Sequence, residues 1–391
     1  MSEEIEVFSP LFKCSRKLVS PYGLCTHINT KGERHEFDTR DQELSMIRKT
    51  GAGWIRTDFY WWQMQLNDGG FNYDRYDSMM TSVENAHLNL LGILVPPFAR
   101  NQYDGWNKYV KNVVGRYKCV NCWEVINEAD LRYRNPNWSW FKAADYADLL
   151  KLANSAIRSQ DKRNKIVFSG IGNFDSGFLD SVFNCDVSRY FDVMNVHCYS
   201  PKKNEPESFL NYYNRLNTIM KKYRIDKPLW LTECGCPTAR GWSSEETQAQ
   251  RLPRIFLISF ALGVDKVFWY NFRSNEMDLD DKECHFGIVH KNYIPKPAFY
   301  AYQTLVKMCP DKSKRPELKR RGDVYIAQWK KPNGEKVCGL WTSKKKITLN
   351  IRGSFSSYNI YGDKMILFNN SVEVSPSIIY IVGRPSYSIN I

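Results

Sequence analysis

A chain of 391 residues with 43% hydrophobic and 14% aromatic residues can bury a large core, which excludes a disordered protein. Its formal net charge of +13 is unevenly spread: residues 311–391 hold 15 Lys and Arg against 6 Asp and Glu, a balance of +9, which leaves +4 for residues 1–310. A basic surplus concentrated in one tail argues against nucleic-acid binding and leaves acidic glycans as a minor alternative, and the absence of any apolar run of about 18 residues excludes a transmembrane helix.

The acidic residues 1–6 contain no apolar signal region, so the sequence as it stands reads as cytoplasmic, or as periplasmic or secreted if a leader has been removed. Apolar, β-branched runs bounded by Gly, Pro, Asn or Asp predict strands over residues 22–28, 53–59 and 90–95, the last stopped by Pro96 and Pro97. A helix separates the first two strands. Asp38 or Thr39 caps it, Leu44, Met46 and Ile47 form its apolar face, and Gly51 lies just past its end. Residues 73–88 form the next helix. The alternation continues with helix 106–117, strand 120–126, helix 143–158, strand 165–169, short helix 177–183, strand 192–197, helix 207–223 and strand 229–232. Helix 244–262, kinked at Pro253, then leads to strand 264–270 and helix 297–308. Eight strand–helix units predict an α/β fold, a (β/α)8 TIM barrel over residues 1–310.

From about residue 319 the period shortens. Short strands at 324–329, 336–341, 347–351, 358–361 and 378–382, with a turn at Pro332-Asn333-Gly334, predict a C-terminal β-sandwich over residues 311–391. Residues 5–8 and 17–19 are candidate further strands, so residues 1–20 are expected with either part. The basic stretches 312–321 and 344–346 read as solvated loops and edge strands, where Lys discourages unwanted strand pairing.

Eleven cysteines are present. Cys119/Cys122 and Cys234/Cys236 have the spacing of metal ligands, but the first pair opens one strand and the second follows another, at opposite ends of a barrel, so they cannot share a zinc. They read as free thiols of a reducing compartment, and the chain is expected to need no metal and no cofactor.

In such a barrel the carboxyl-terminal strand ends build the site. The fourth strand, Trp123-Glu124-Val125-Ile126, ends in Asn127-Glu128, an amide and a carboxylate that an apolar interior does not tolerate unpaired. The seventh, Leu229-Trp230-Leu231-Thr232, ends on Glu233. Other strand ends supply His27, then Arg56 and Asp58 followed by Trp61 and Trp62, then His197 and Tyr199, and finally Trp269 and Asn271. Two carboxylates facing one cleft among aromatic faces suggest glycoside hydrolysis of a carbohydrate substrate. Trp138, Trp140 and Trp242 fall in loops where their faces suit sugar C–H surfaces, and Glu124 reads as an internal salt-bridge residue.

Together these motifs resemble clan A of the glycoside hydrolases: Asn127-Glu128 ending strand four, His197-Cys198-Tyr199 ending strand six, Glu233 ending strand seven, Arg56 within Trp54-Ile55-Arg56-Thr57-Asp58-Phe59, and Trp269 on strand eight. With Phe286-Gly287-Ile288-Val289, Pro295-Lys296-Pro297-Ala298 and a C-terminal β-domain, the chain looks most like family 39 and its bacterial relatives. Pro96-Pro97-Phe98 departs from family 5, whose third strand commonly carries a His, and Ala129-Asp130 stand where family 39 usually carries a Pro. The resemblance implies a retaining glycosidase that cleaves β-type bonds by double displacement, with Glu128 as acid/base and Glu233 as nucleophile. It further implies that Asn127 binds the sugar 2-hydroxyl, that Arg56 and Tyr199 hold Glu233 ionised and oriented, that His197 lines the floor, and that Trp269 offers a stacking face in subsite −1. His27, Asp58, Trp61, Trp62 and Asn271 are expected as further substrate contacts. A non-catalytic carbohydrate-binding barrel and a transglycosidase using the same residues are the alternatives; the presence of both glutamates speaks against the first.

Overall fold

The computed structural model describes residues 5–29, 39–96, 103–134, 141–172, 174–199, 205–367, 369, 371–383 and 388–390. A first short strand, β1 (Glu6–Phe8), precedes eight parallel strands: β2 (Tyr22–Cys25), β3 (Trp54–Tyr60), β4 (Asn89–Val95), β5 (Cys122–Val125), β6 (Lys165–Val167), β7 (Met194–Tyr199), β8 (Leu229–Gly235) and β9 (Lys266–Trp269). Their order in the sheet is β6-β5-β4-β3-β2-β9-β8-β7, and bridges from Val167 to Val193 and from Ile171 to Val196 join the two ends into a closed barrel.

Helices follow the strands around the outside: α1 (Arg40–Thr50), α2 (Trp61–Met64), α3 (Asp74–Asn85), α4 (Tyr103–Arg116), α5 (Ala129–Arg134), α6 (Ala143–Gln160), α7 (Ser176–Phe183), α8 (Phe209–Lys222), α9 (Glu245–Ala261) and α10 (Pro297–Met308). Strands wrapped by helices are buried on both faces, which is why β4 is an almost continuous apolar run rather than an alternating one. Helix α9 starts where Ser244 accepts a hydrogen bond from Thr247 N, with Glu245 and Glu246 in its first turn, and runs on through Pro253. Thr39 stands at the N-cap of α1 without a side-chain cap bond; Asp38, the other expected cap, lies outside the described residues.

The inner end of the barrel is plugged by Cys25, Trp54, Leu91, Cys122, Val167, Val193, Trp230 and Phe268, one from each of the eight strands or, for Val193, from the residue just before its strand. This apolar plug closes one end, so polar side chains one layer further along the strands face only the other mouth.

Beyond the barrel lie β10 (Glu317–Arg321), β11 (Val324–Lys330), β12 (Lys336–Thr342), β13 (Ile347–Arg352), β14 (Ser356–Tyr358), β15 (Lys364–Met365), β16 (Ser371–Val374), β17 (Ile379–Gly383) and β18 (Ser388–Asn390). A seven-stranded sheet, β1-β10-β11-β12-β17-β14-β15, and a three-stranded one, β16-β13-β18, enclose a second core that includes Val324, Leu340, Leu349 and Ile381. The reading of residues 312–321 as solvated loop and edge strand is corrected for 317–321: β10 pairs with β11 on one side and with β1 on the other, so β1 takes the exposed edge. Lys17 also bridges Lys314. Short strands β15, β16 and β18 carry too little pattern to be read from sequence.

The seam between the parts is charged. Arg254 and Arg251 of α9 bind Glu205 and Glu207, and Trp341 of β12 donates its indole N–H to Glu207. All eleven cysteines are unpaired; Cys119 is exposed and Cys14, Cys185 and Cys198 partly so, whereas the others are buried. Among the described residues no helix is long and apolar enough to cross a membrane.

Candidate active site

A cleft of about 970 Å³ opens at the carboxyl-terminal ends of the barrel strands. Strand β3 sends Arg56, Asp58 and Tyr60 into it at alternate positions, as the two-residue period of a strand dictates. Arg56, only 3% exposed, uses its whole fork: Nε and Nη2 donate to the two oxygens of Glu124 at 2.8 and 2.9 Å, Nη1 to Glu233 Oε1 at 2.5 Å, and Nη2 also to Asn127 Oδ1 at 2.7 Å. Glu124 is thus the internal salt-bridge residue its position predicts. Because the Asn127 carbonyl oxygen is occupied by Arg56, its amide N–H groups are the part left to meet a ligand.

The turn after β5 aims Glu128. Ile126 and Glu128 both adopt left-handed backbone, with φ of 69° and 49°, at a cost of about 1–3 kcal/mol each, and an unusual one for a β-branched isoleucine. The turn is held by the bridge from Asn127 to Gly170 and by Ala129 N donating to Ser169 Oγ at 2.9 Å. Close approach explains two glycines here. A Cβ on Gly172 would sit 2.6 Å from Glu128 Oε1, and one on Gly170 would sit 1.9 Å from His197 Nε2.

Glu233 does not end its strand, as the sequence suggested; β8 continues to Gly235. What turns Glu233 inward is a break in register. Pairing with β7 shifts between Val196 and His197, and pairing with β9 shifts between Leu231 and Cys234, so Thr232 and Glu233 both face the barrel interior side despite being neighbours. Tyr199 donates its hydroxyl to Glu233 Oε2, opposite the oxygen held by Arg56. Burial pushes the Glu233 carboxyl up, but the His197 and Arg56 charges and the Tyr199 hydrogen bond outweigh it, so it lies below the usual glutamate value. His197 sits between the two glutamates, its Nδ1 2.9 Å from Glu128 Oε1 and 3.5 Å from Glu233 Oε2. Burial pulls the imidazole down, and the charge of Glu233 with the charge and hydrogen bond of Glu128 more than restores it, leaving it above the ordinary histidine value.

The facing atoms of Glu128, His197 and Glu233 all lie within 4.8 Å of one another. Among the described residues they are the one group near enough to share a cation, but Arg56 and Tyr199 already occupy Glu233, and His197 contacts both carboxylates. The arrangement is one for holding and moving protons.

Asp58, His27 and Trp62 line the cleft, as expected. Asp58 accepts from the Tyr60 hydroxyl at 3.0 Å; burial raises its carboxyl, partly offset by the charges of His27 and Arg56. Trp62, 42% exposed, packs on Tyr60. Three expectations are corrected. Trp269 is 1% exposed and packs in the main core behind the barrel wall, because on β9 the inward positions are Phe268 and Tyr270. Tyr270 takes the place foreseen for it: its ring lines the cleft and its hydroxyl lies 3.3 Å from His27 Nε2. Asn271, joined to Tyr270 by a cis peptide, is 5% exposed and outside the cleft lining. Trp61 is buried against the rings of Trp106 and Tyr109. Trp242 lines the cleft, whereas Trp138 and Trp140 lie outside the described residues. Residues not anticipated as site residues include Tyr60, Phe174, Tyr212, Arg215, Tyr270 and Phe286; the alternation from Arg56 pointed to Tyr60, and the motif around Phe286 marked that residue without giving it a place in the cleft.

A closed (β/α)8 barrel whose mouth holds an ionised glutamate and a second glutamate beside a histidine defines a glycosidase. The chain matches the model of the glycosyl hydrolase catalytic core over residues 71–285, more than half its length, and belongs to that family. No curated protein matches it in sequence. Solved structures share its fold. A family 39 glycoside hydrolase from Bacteroides cellulosilyticus WH2 superposes with a TM-score of 0.78 at 19% identity, covering 94% of this chain and 82% of that one. A family 39 β-xylosidase from Caulobacter crescentus gives 0.65 at 13%, covering 97% and 99%, and a family 30 endoxylanase from Clostridium papyrosolvens C71 gives 0.65 at 14%, covering 97% and 100%.

Proposed function

We propose that the protein hydrolyses a β-type, equatorial glycosidic bond of an oligo- or polysaccharide with retention of configuration. The observation that carries this reading is the spacing of the two carboxylates. Their facing oxygens lie within 4.8 Å, close to the roughly 5–5.5 Å of retaining pairs and short of the roughly 6.5–9.5 Å that admits a water between them. The β-xylosidase and endoxylanase of the same fold favour a β-linked, equatorial backbone as substrate.

Glu233, kept ionised by Arg56 and Tyr199, attacks the anomeric carbon while the bond to the leaving oxygen breaks and Glu128 delivers a proton to that oxygen. In the second half, the Glu128 carboxylate takes a proton from water, whose oxygen bonds to the anomeric carbon and releases Glu233. Asn127 presents its amide N–H groups to the sugar 2-hydroxyl, and Tyr270, Trp62 and Trp242 offer faces for the ring.

Hydrolysis of a panel of aryl β-glycosides followed by proton NMR of the anomeric signals tests this. The β-anomer should form first and mutarotate later; first appearance of the α-anomer would replace the mechanism by inversion.

A further inference from the structure

Behind His197 the contacts continue into two residues that the mechanism above leaves unused. His197 Nε2 lies 3.1 Å from Thr232 Oγ1, and Thr232 Oγ1 donates to Asn195 Oδ1 at 2.8 Å. His197, Thr232 and Asn195 are each fully buried, and Gly170 packs tightly on the same edge of the ring. A threonine hydroxyl has a single hydrogen. Given to Asn195, that hydrogen is lost to His197, so Thr232 can only accept from the ring and Nε2 must carry a proton.

We propose that Thr232 and Asn195 are positioning residues which fix a proton on His197 Nε2, so that His197 Nδ1 shares with Glu128 the proton delivered to the leaving oxygen. The proposal rests on the acid/base role of Glu128. In the resting site one proton joins Glu128 Oε1 and His197 Nδ1 across 2.9 Å. It passes to the glycosidic oxygen as the carbon–oxygen bond breaks and the bond to Glu233 forms; in the second half a proton from water returns to the pair. Nε2 keeps its hydrogen throughout.

The arrangement holds the shared proton to higher pH. Once that proton leaves, a freely tautomerising imidazole would move its remaining hydrogen to Nδ1, facing the carboxylates of Glu128 and Glu233. Here that shift would set the Nε2 lone pair against the lone pairs of Thr232, so the deprotonated state is disfavoured. The charged groups around the ring are Glu128 from the turn after β5, Glu233 from β8 and Arg56 from β3, with Glu124 behind Arg56 and the Tyr199 hydroxyl on the same strand. None of these is placed against Nε2 by a hydrogen bond, which makes Thr232 the group that selects the tautomer.

Imidazole nitrogen NMR of the full chain, labelled with 15N-histidine, reads the tautomer without any turnover. His197 is assigned among the six histidines by its loss in His197→Gln. Nε2 should stay protonated from about pH 5 to 9 while only Nδ1 titrates. A lone-pair signal at Nε2 would mean that Asn195 turns its amide nitrogen to Thr232 and reverses the donors, and would overturn the proposal even if the protein is a glycosidase. On an unactivated disaccharide, Thr232→Val should move the alkaline limb of kcat/KM down by about one pH unit, about tenfold in rate above the limb, and Thr232→Ser should restore it. A uniform loss at every pH, with the limb unmoved, would reduce Thr232 to a packing residue.

Discussion

Two of the arginine–glutamate networks among the described residues, one at the seam and one at the barrel mouth, differ in balance. At the seam, Arg251 and Arg254 face Glu205 and Glu207, two permanent cations for two carboxylates, and Trp341 satisfies a remaining lone pair. At the mouth of the barrel, Arg56 faces Glu124 and Glu233, with Glu128 just beyond, one permanent cation for three carboxylates. A balanced network has no need of protons and serves to join. An unbalanced one in a buried setting favours a proton on the group set among the carboxylates, and their charge holds His197 above its ordinary value.

Breaking the two networks in parallel exposes that difference, and the largest effect is expected at the nucleophile. Glu233→Ala should cost about four orders of magnitude or more in turnover, while the fold stays intact by circular dichroism and unfolds cooperatively at a midpoint lowered by the lost contacts with Arg56 and Tyr199. A variant that keeps its rate would remove Glu233 from the mechanism. Glu128→Ala should cost about 10²–10⁴ on unactivated substrates and far less on activated aryl glycosides. Equal losses on both would show that Glu128 is not the acid.

Removal of each arginine compares the networks directly. Arg56→Met and Arg254→Met both strand buried carboxylates, and each should lower stability by about 3–5 kcal/mol in denaturant titrations. Only Arg56→Met should also shift the acidic limb of kcat/KM upward; the same shift in Arg254→Met would dissolve the distinction. The smallest effect is expected from Tyr199→Phe. Because Glu233 titrates below its ordinary value in the folded chain, it supplies stability above that ordinary value and loses it as pH falls through the depressed one. Loss of the Tyr199 hydrogen bond should raise the acidic limb by about one pH unit or less, and an unmoved limb would leave Arg56 and His197 as the groups that hold Glu233.

The site was legible in part for a physical reason. Asn127-Glu128, His197 and Tyr199, and Arg56 with Asp58 lie at strand ends, where a run of apolar residues stops at groups that need partners, and such a change in polarity is visible along the chain. Trp269 was misassigned because a strand shows its period but not which of its two faces is inward; the apolar plug settles that by packing Phe268, which puts Tyr270 in the cleft. Trp61 was misassigned because the short α2 turns it back onto α4.

By itself the sequence determined the alternation of eight strand–helix units, the β-rich tail and the identity of the groups at the strand ends, because periodicity and capping are local properties of the chain. Only the tertiary structure decided how those groups act. The register shift that turns Thr232 and Glu233 inward together, the left-handed turn that presents Glu128, the two glycines that let His197 and Glu128 approach, and the single arginine set among three glutamates all depend on which strands lie side by side. Pairing between strands far apart in sequence leaves no local mark, and it is that pairing which brings the carboxylates within reach of one bond.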